Sequence, residues 1–206
     1  MDKPLEVIER ETHIELAKLT AFRDSLKKAD GLKFYTPNKH QLTAHQSDAR
    51  MVLLCGGNRV GKSTMGAVEL AAHVTRRYPS WWSKRRRFYG PVKAVVVCDA
   101  MQKIEKVIEP KIMEFIPKSY IKGLQRITGG YLNRLECKDG STVDFLTSEQ
   151  DQMRFEGADW DFYWGDEPQK KKQFDGVMRG LVDRHGISVL TFTPLVEPWM
   201  KEDLVD

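Results

Sequence analysis

The sequence predicts an α/β domain: a mostly parallel central sheet with helices on both faces, an N-terminal helical extension and an added β-hairpin. Three observations predict it. Apolar strand-like runs alternate with helical stretches along the 206 residues, which is the pattern of a doubly wound parallel sheet. A glycine-rich segment, Gly56-Gly57-Asn58-Arg59-Val60-Gly61-Lys62-Ser63, connects the first strand run to the helical stretch that follows it, the setting of a phosphate-binding loop. The later strand runs end in Asp166-Glu167 and in Thr193, at the carboxyl ends where such sheets bind ligands.

Taken in order, Pro4 to Lys28 reads as a helix, because Leu5, Ile8, Leu16, Leu19, Phe22 and Leu26 keep a three-to-four spacing interrupted only around Thr12. Asp30-Gly31 ends it, so residues 1–31 form a helical segment ahead of a domain spanning 32–206. Leu32 to Asn38, with Pro37, reads as extended, and Gln41 to Arg50 as a short helix. Met51 to Cys55 is an apolar run suited to a buried strand, and Thr64 to Val74 is helical. Tyr78 to Pro91 is a loop by its Pro and Gly content. Ala94 to Cys98 is a β-branched strand. Gln102 to Ile116 has a helical pattern that Pro110 divides. Leu132 to Cys137 and Ser141 to Leu146 flank Lys138-Asp139-Gly140, a hairpin signal. Asp161 to Gly165 is a short aromatic strand, Phe174 to Val182 a helix, and Ile187 to Thr193 a final strand.

Composition bounds the function classes. Apolar residues make up 41% and charged residues 30%, ordinary values for a globular domain with a real core. No apolar stretch approaches the length that spans a bilayer, and Met1-Asp2-Lys3-Pro4 lacks the apolar core of a signal peptide; no membrane partner is expected. Cys55, Cys98 and Cys137 are scattered without metal-ligand spacing, which points to a reduced intracellular protein. A net charge of +4 allows a nucleic-acid partner without requiring one.

The glycine-rich segment fits G-x-x-x-x-G-K-[ST] in full. Backbone N–H groups from Gly56 to Thr64, opening a helix, form a cradle for phosphate oxygens. Lys62 reaches the β- and γ-phosphates and the Ser63 hydroxyl holds Mg²⁺. Phe162 to Glu167 supplies the second half: a buried strand that places two acids at its tip. Asp166 supports the metal beside Ser63, and Glu167 polarises an attacking water. The fold is therefore expected to be a P-loop NTPase of the ASCE type, with ATP and Mg²⁺ as ligands. Gly165 interrupts an otherwise apolar strand. Thr191 and Thr193 end the last strand with hydroxyls; they either contact the water or Glu167, or simply terminate the strand before Pro194. Gln41 has an amide able to pair with the adenine edge; an exposed loop glutamine is the other reading, and Gln46 competes with it.

These residues resemble the ATPase domain of the large terminase subunit of tailed bacteriophages. The resemblance runs from Phe34 to about Trp199 and rests on the arginine inside the P-loop, Tyr78-Pro79-Ser80-Trp81-Trp82, Asp166-Glu167-Pro168 and Thr191-Phe192-Thr193-Pro194-Leu195. It implies an ATPase that translocates double-stranded DNA into a procapsid. Gln41 then matches the adenine motif, Arg59, Lys62 and Ser63 the Walker A loop, Asp166 and Glu167 the Walker B pair, and Thr191 to Thr193 the coupling motif. It also implies two arginines for transition-state charge: Arg59 in cis, or Arg154, in the stretch Gln152 to Gly157, acting in trans on a neighbouring subunit's site. For Arg154 a surface cation paired with Glu156 or Asp159 is the other reading. The implied partners are DNA, a portal protein, a small terminase subunit and further copies in a ring, in the cytoplasm of an infected bacterial host. Members of the family carry a nuclease domain after the coupling motif, and the chain has no room for it, so the expectation is an isolated ATPase domain without nuclease activity.

Two basic clusters remain. Lys84-Arg85-Arg86-Arg87 lies among Trp81, Trp82, Phe88 and Tyr89, and Lys170-Lys171-Lys172 follows the acids. The tryptophans read as core anchors; the cations are open to DNA, a neighbouring subunit or the portal. Two other classes compete with a translocase: a phosphotransferase on the same loop, against which Glu167 argues, and a nucleotide-gated assembly module, against which Lys62, Asp166 and Glu167 argue together.

Overall fold

The computed structural model describes residues 5–193 and 198–204; Pro194 and Leu195 of the coupling segment lie outside them. Seven strands form one sheet in the order β1-β7-β6-β2-β5-β4-β3. They are β1 (Met51–Cys55), β2 (Lys93–Cys98), β3 (Ile121–Arg126), β4 (Leu132–Cys137), β5 (Thr142–Thr147), β6 (Phe162–Asp166) and β7 (Ile187–Phe192). The neighbours β1–β7, β7–β6, β6–β2 and β2–β5 are parallel; β4 and β3 add to the β5 edge in antiparallel fashion. The parallel strands carry mostly apolar centres because both faces are covered, as in Ala94 to Cys98 of β2. Along β2, Ala94, Val96 and Cys98 enter one core cluster, while Val95 and Val97 enter the other.

The first face is covered by α4 (Lys62–Thr75) and α6 (Glu109–Phe115), and the second by α7 (Lys171–Val182) with α8 (Pro198–Leu204). The remaining helices are α1 (Leu5–Ala29), α2 (Gly31–Phe34), α3 (Lys39–His45) and the single turn α5 (Met101–Lys103). The apolar stripe of α1, including Leu5, Leu19 and Phe22, is exposed. Strand β7 stands between the P-loop strand and the strand carrying the two acids, the arrangement of ASCE-type P-loop folds.

Four local expectations are corrected. Leu32 to Asn38 is not wholly extended: Gly31–Phe34 is a helical turn. It is set by packing, since a Cβ on Gly31 would lie 2.3 Å from the Glu114 carbonyl of α6. The helix predicted over Gln41 to Arg50 runs instead from Lys39 to His45, opened by an Asn38–Gln41 capping box. Pro110 does not break its helix; a π-helical turn, Ile104–Ile108, precedes it, and α6 begins with the proline in its first turn, where the missing N–H costs little. Strand β3 was not expected. Its sequence, IKGLQR, is largely exposed and its pairing with β4 has register shifts, so it carries neither alternation nor an apolar run.

Close approach of α4 to the sheet depends on Gly66, where a Cβ would lie 2.1 Å from the Trp164 ring of β6. Gly66→Ala is expected to lower the unfolding free energy by about 1–3 kcal/mol through overpacking, read as a lower urea midpoint at unchanged slope.

Candidate functional site

The loop from Gly56 to Gly61 leaves the carboxyl end of β1 and opens α4. Gly61 has φ 87° as the N-cap of α4, a left-handed geometry that glycine adopts without strain. Arg59 also sits at positive φ, 67°. Lys62 is buried, and its Nζ donates to the carbonyls of Gly56 at 2.8 Å and Gly57 at 2.9 Å. The lysine thus folds over its own loop and holds the cradle in shape. Gln41 lies against the same loop: its Nε2 donates to the Gly61 carbonyl at 3.0 Å, while its Oε1 accepts from the Asn38 N–H at 2.9 Å. Both ends of this amide brace α3 on the P-loop, so a contact with adenine requires it to exchange one of these bonds. Gln46 is tied elsewhere, to the Trp81 carbonyl.

Asp166 faces the loop across β7, and Glu167 faces the end of β7. Asp166 Oδ1 accepts from Ser63 Oγ at 2.9 Å and from Thr191 Oγ1 at 2.6 Å. Its other oxygen, Oδ2, is buried and accepts no well-formed hydrogen bond, though it stands within ion-pair distance of a lysine ammonium. A hydroxyl and a buried carboxylate form a hard-oxygen donor set that fits Mg²⁺, so Ser63 and Asp166 would hold it. Glu167 has φ 68°, an uncommon conformation for a residue with a side chain and a recurrent one at functional sites. Its N–H is bonded to the Thr191 carbonyl, and its carboxylate accepts from the Thr193 N–H at 3.0 Å and the Thr193 hydroxyl at 3.2 Å. The two threonines therefore divide the work, Thr191 holding Asp166 and Thr193 holding Glu167. Trp164 Nε1 also donates to Thr191 Oγ1. Gly165 is explained by crowding: a Cβ there would lie 2.8 Å from Gln169, Leu190 and Tyr163.

Sequence reasoning missed Lys103. It follows β2, whose Cys98 lies in register with Asp166, and its Nζ is 3.0 Å from Asp166 Oδ2 and 3.3 Å from Asp99 Oδ1. Burial would lower the pKa of this ammonium, but Asp166, Asp99 and Glu167 outweigh burial and raise it. Nothing in the helical spacing around Lys103 distinguishes it from a solvated lysine.

A second group missed in the sequence lies beneath the P-loop helix. Glu69 of α4 is fully buried, and accepts from His45 Nδ1 at 2.6 Å and Arg85 Nε at 2.9 Å. Arg85 also reaches the carbonyls of Ala49 and Ser188. This ties the P-loop helix to α3, to β7 and to the loop of residues 76–92. Burial would raise the Glu69 carboxyl, but Arg85, His45 and His73 together hold it well below its ordinary range. His73, fully buried, is pushed down by burial more than Glu69 pulls it up, and so sits neutral. A histidine held neutral stabilises the fold above its unfolded pKa, about 6.5. That contribution is lost as pH falls below this value, because the unfolded chain then binds a proton that the folded chain refuses. Unfolding free energy is expected to drop by on the order of 1 kcal/mol between about pH 7.5 and about pH 5.5. In His73→Gln, urea titrations at the two pH values should show a flatter dependence.

With this geometry in place, comparison with known proteins identifies the lineage. Residues 53–206 match the family described as "Terminase large subunit, T4likevirus-type, N-terminal". The chain belongs to the terminase large-subunit family. It is 26% identical to the large terminase subunit of Salmonella phage P22 over 236 aligned positions, covering 95% of this chain and 46% of that protein; it thus spans less than half the length of that relative. Among solved structures it resembles the large terminase ATPase domain of Thermus phage P74-26, with TM-score 0.63, 19% identity and coverage of 84% of this chain and 70% of that one. It also resembles the large terminase of a thermophilic bacteriophage solved in complex with ADP, with TM-score 0.58, 14% identity and coverage of 80% and 41%. At these identities the structural likeness establishes the fold.

The two arginines singled out by the family resemblance lie apart in sequence and are both exposed. Arg59 is within the P-loop; Arg154 is on a 3-10 turn, Gln152–Phe155, on the way from β5 to β6. Of the two acids named as partners for Arg154, Glu156 is engaged otherwise, with Gln152 and Arg179. Most of the basic loop is structural. Arg85 is buried, Arg86 reaches the His185 carbonyl and lies over Phe88, and Arg87 bonds the Trp82 carbonyl. Trp82 is fully buried with Trp81 packed against it. In the second cluster, Lys171 pairs with Asp203 and lies over Trp199, whereas Lys170 and Lys172 are exposed.

Proposed function

We propose that this chain is the ATP-hydrolysing domain of a phage DNA-packaging motor, acting on double-stranded DNA with a portal protein, a small terminase subunit and further copies of itself in the infected cell's cytoplasm. One observation carries the proposal: Asp166 is bonded to Ser63 of the P-loop while the next residue, Glu167, is held by the end of the neighbouring strand. The β- and γ-phosphates lie against the N–H groups of Gly56 to Thr64, and Lys62 exchanges its two carbonyl bonds for phosphate oxygens. Ser63 and Asp166 would hold a magnesium ion, which when bound would supply charge neutralisation at the phosphates. Glu167 accepts a proton from water as its oxygen attacks the γ-phosphorus, and the bond from that phosphorus to the bridging oxygen of ADP breaks. Thr193, bonded to Glu167, couples the state of this site to the chain that follows β7. Gln41 marks the adenine side.

Phosphate release without an acceptor tests the reaction class; a phosphotransferase releases little. The two arginines separate by order of reaction. Loss of the one that stabilises the transition state is expected to cost ~10³–10⁵ in turnover. If Arg59 acts, Arg59→Ala is inactive at every protein concentration and is not restored by mixing. If Arg154 acts on a neighbour, activity rises steeply with protein concentration, and mixing Arg154→Ala with Glu167→Ala restores phosphate release.

A further inference from the structure

Asp166 Oδ1 is already committed to Ser63 and Thr191. The carboxylate oxygen that remains for a cation is Oδ2, and Lys103 Nζ stands 3.0 Å from it. The same ammonium is 3.3 Å from Asp99, whose side chain is 55% exposed, against 1% for Asp166. Lys103 is therefore forked between a buried acid that belongs to the nucleotide site and an acid at the surface. It lies at the junction of α5 and the π-helical turn, in which the Glu109 N–H bonds the Ile104 carbonyl. Ile104 and Ile108 anchor that turn in the core, and π-turns of this kind recur at functional sites.

Two negative charges, Asp166 and Glu167, would otherwise face each other's field at the tip of β6 in a poorly hydrated place, a costly arrangement without a counter-charge. We infer that Lys103 is the resident counter-cation of this carboxylate: it holds Asp166 Oδ2 before nucleotide arrives, yields that oxygen to the divalent ion that enters with nucleotide, and is received by Asp99. The inference rests on the nucleotide-site reading above. Lys103 is a positioning residue in this account, acting on the reaction through Asp166. Its presence penalises binding of a bare divalent ion and makes metal occupancy depend on nucleotide, because phosphate oxygens supply the attraction that overcomes the lysine.

The test is Mn²⁺ titration of the 206-residue chain, followed by electron paramagnetic resonance, without nucleotide and with ADP. Lys103→Met keeps the aliphatic stem and removes the charge; it is expected to bind Mn²⁺ alone about tenfold more tightly than wild type, since removing one unit charge at this range is worth at least that. Asp99→Asn removes the receiving acid and is expected to shift affinity the opposite way. Lys103→Arg keeps the cation and should behave as wild type, and adding Asp166→Asn to Lys103→Met should abolish the gain. A lysine that served only packing would leave Mn²⁺ affinity unchanged in Lys103→Met, and a merely diffuse field effect would survive the added Asp166→Asn. If wild type binds Mn²⁺ with ADP but Lys103→Met binds Mn²⁺ no more tightly than wild type, the counter-cation role is refuted and the nucleotide site stands. If wild type binds no ADP with Mn²⁺ at all, both fall together.

Discussion

Glu167→Gln is expected to bind ATP with an affinity within a few-fold of wild type and to release almost no phosphate. The substitution preserves the side chain's shape and its ability to accept from Thr193 through the amide oxygen, but it removes the base. General-base assistance contributes ~10²–10⁴ in rate, so the loss appears in kcat rather than in KM. The left-handed backbone at Glu167 and its two bonds to Thr193 show that the chain specifies the direction of this carboxylate, in contrast to an acid in a solvated turn. Thr193→Val should accordingly follow Glu167→Gln in direction with a smaller loss, because the backbone N–H bond survives. Single-turnover phosphate release beside a fluorescent-nucleotide binding curve measures both quantities in one preparation. Turnover near wild type in Glu167→Gln would remove the base assignment.

Lys62→Ala is expected to fail earlier, at binding. Charge-assisted hydrogen bonds are worth about 1.5–3 kcal/mol, so nucleotide affinity should fall roughly ten- to hundredfold. A further ~10²–10³ in kcat follows from the loss of charge aimed at the transferring phosphoryl group. Lys62 also satisfies the carbonyls of Gly56 and Gly57, so its removal frees the loop in the absence of ligand. Stability measured by urea should change little, since both carbonyls belong to a loop open to water. A large loss of stability would mean that the loop is primarily a structural brace.

What the sequence made legible was whatever is written in local chemistry. The P-loop could be read because glycine, lysine and serine are demanded at fixed offsets by one backbone turn. The parallel strands could be read because burial on both faces leaves continuous apolar runs such as Ala94 to Cys98. Elements set by tertiary contact were less legible. Strand β3 is polar and exposed, and only pairing with β4 makes it a strand. The helical turn at Gly31 is decided by the Glu114 carbonyl pressing on it. The same distinction holds in the site. Asp166, Glu167 and Ser63 stand in motifs, whereas Lys103 and the Glu69–Arg85–His45 cluster are joined only when β2, α4 and the loop after it fold together. The basic run Lys84 to Arg87 shows the opposite hazard. It looks like a nucleic-acid patch, yet its arginines chiefly satisfy a buried acid and backbone carbonyls.

Crystals of the chain grown with magnesium and a non-hydrolysable ATP analogue test the central claim most directly. The phosphates are expected against the backbone N–H groups of Gly56 to Thr64, with Lys62 turned toward them, the metal beside Ser63 and Asp166, and a water between Glu167 and the γ-phosphate. An analogue bound away from that loop, or a metal held by other residues with Asp166 still bonded to Lys103, would contradict it.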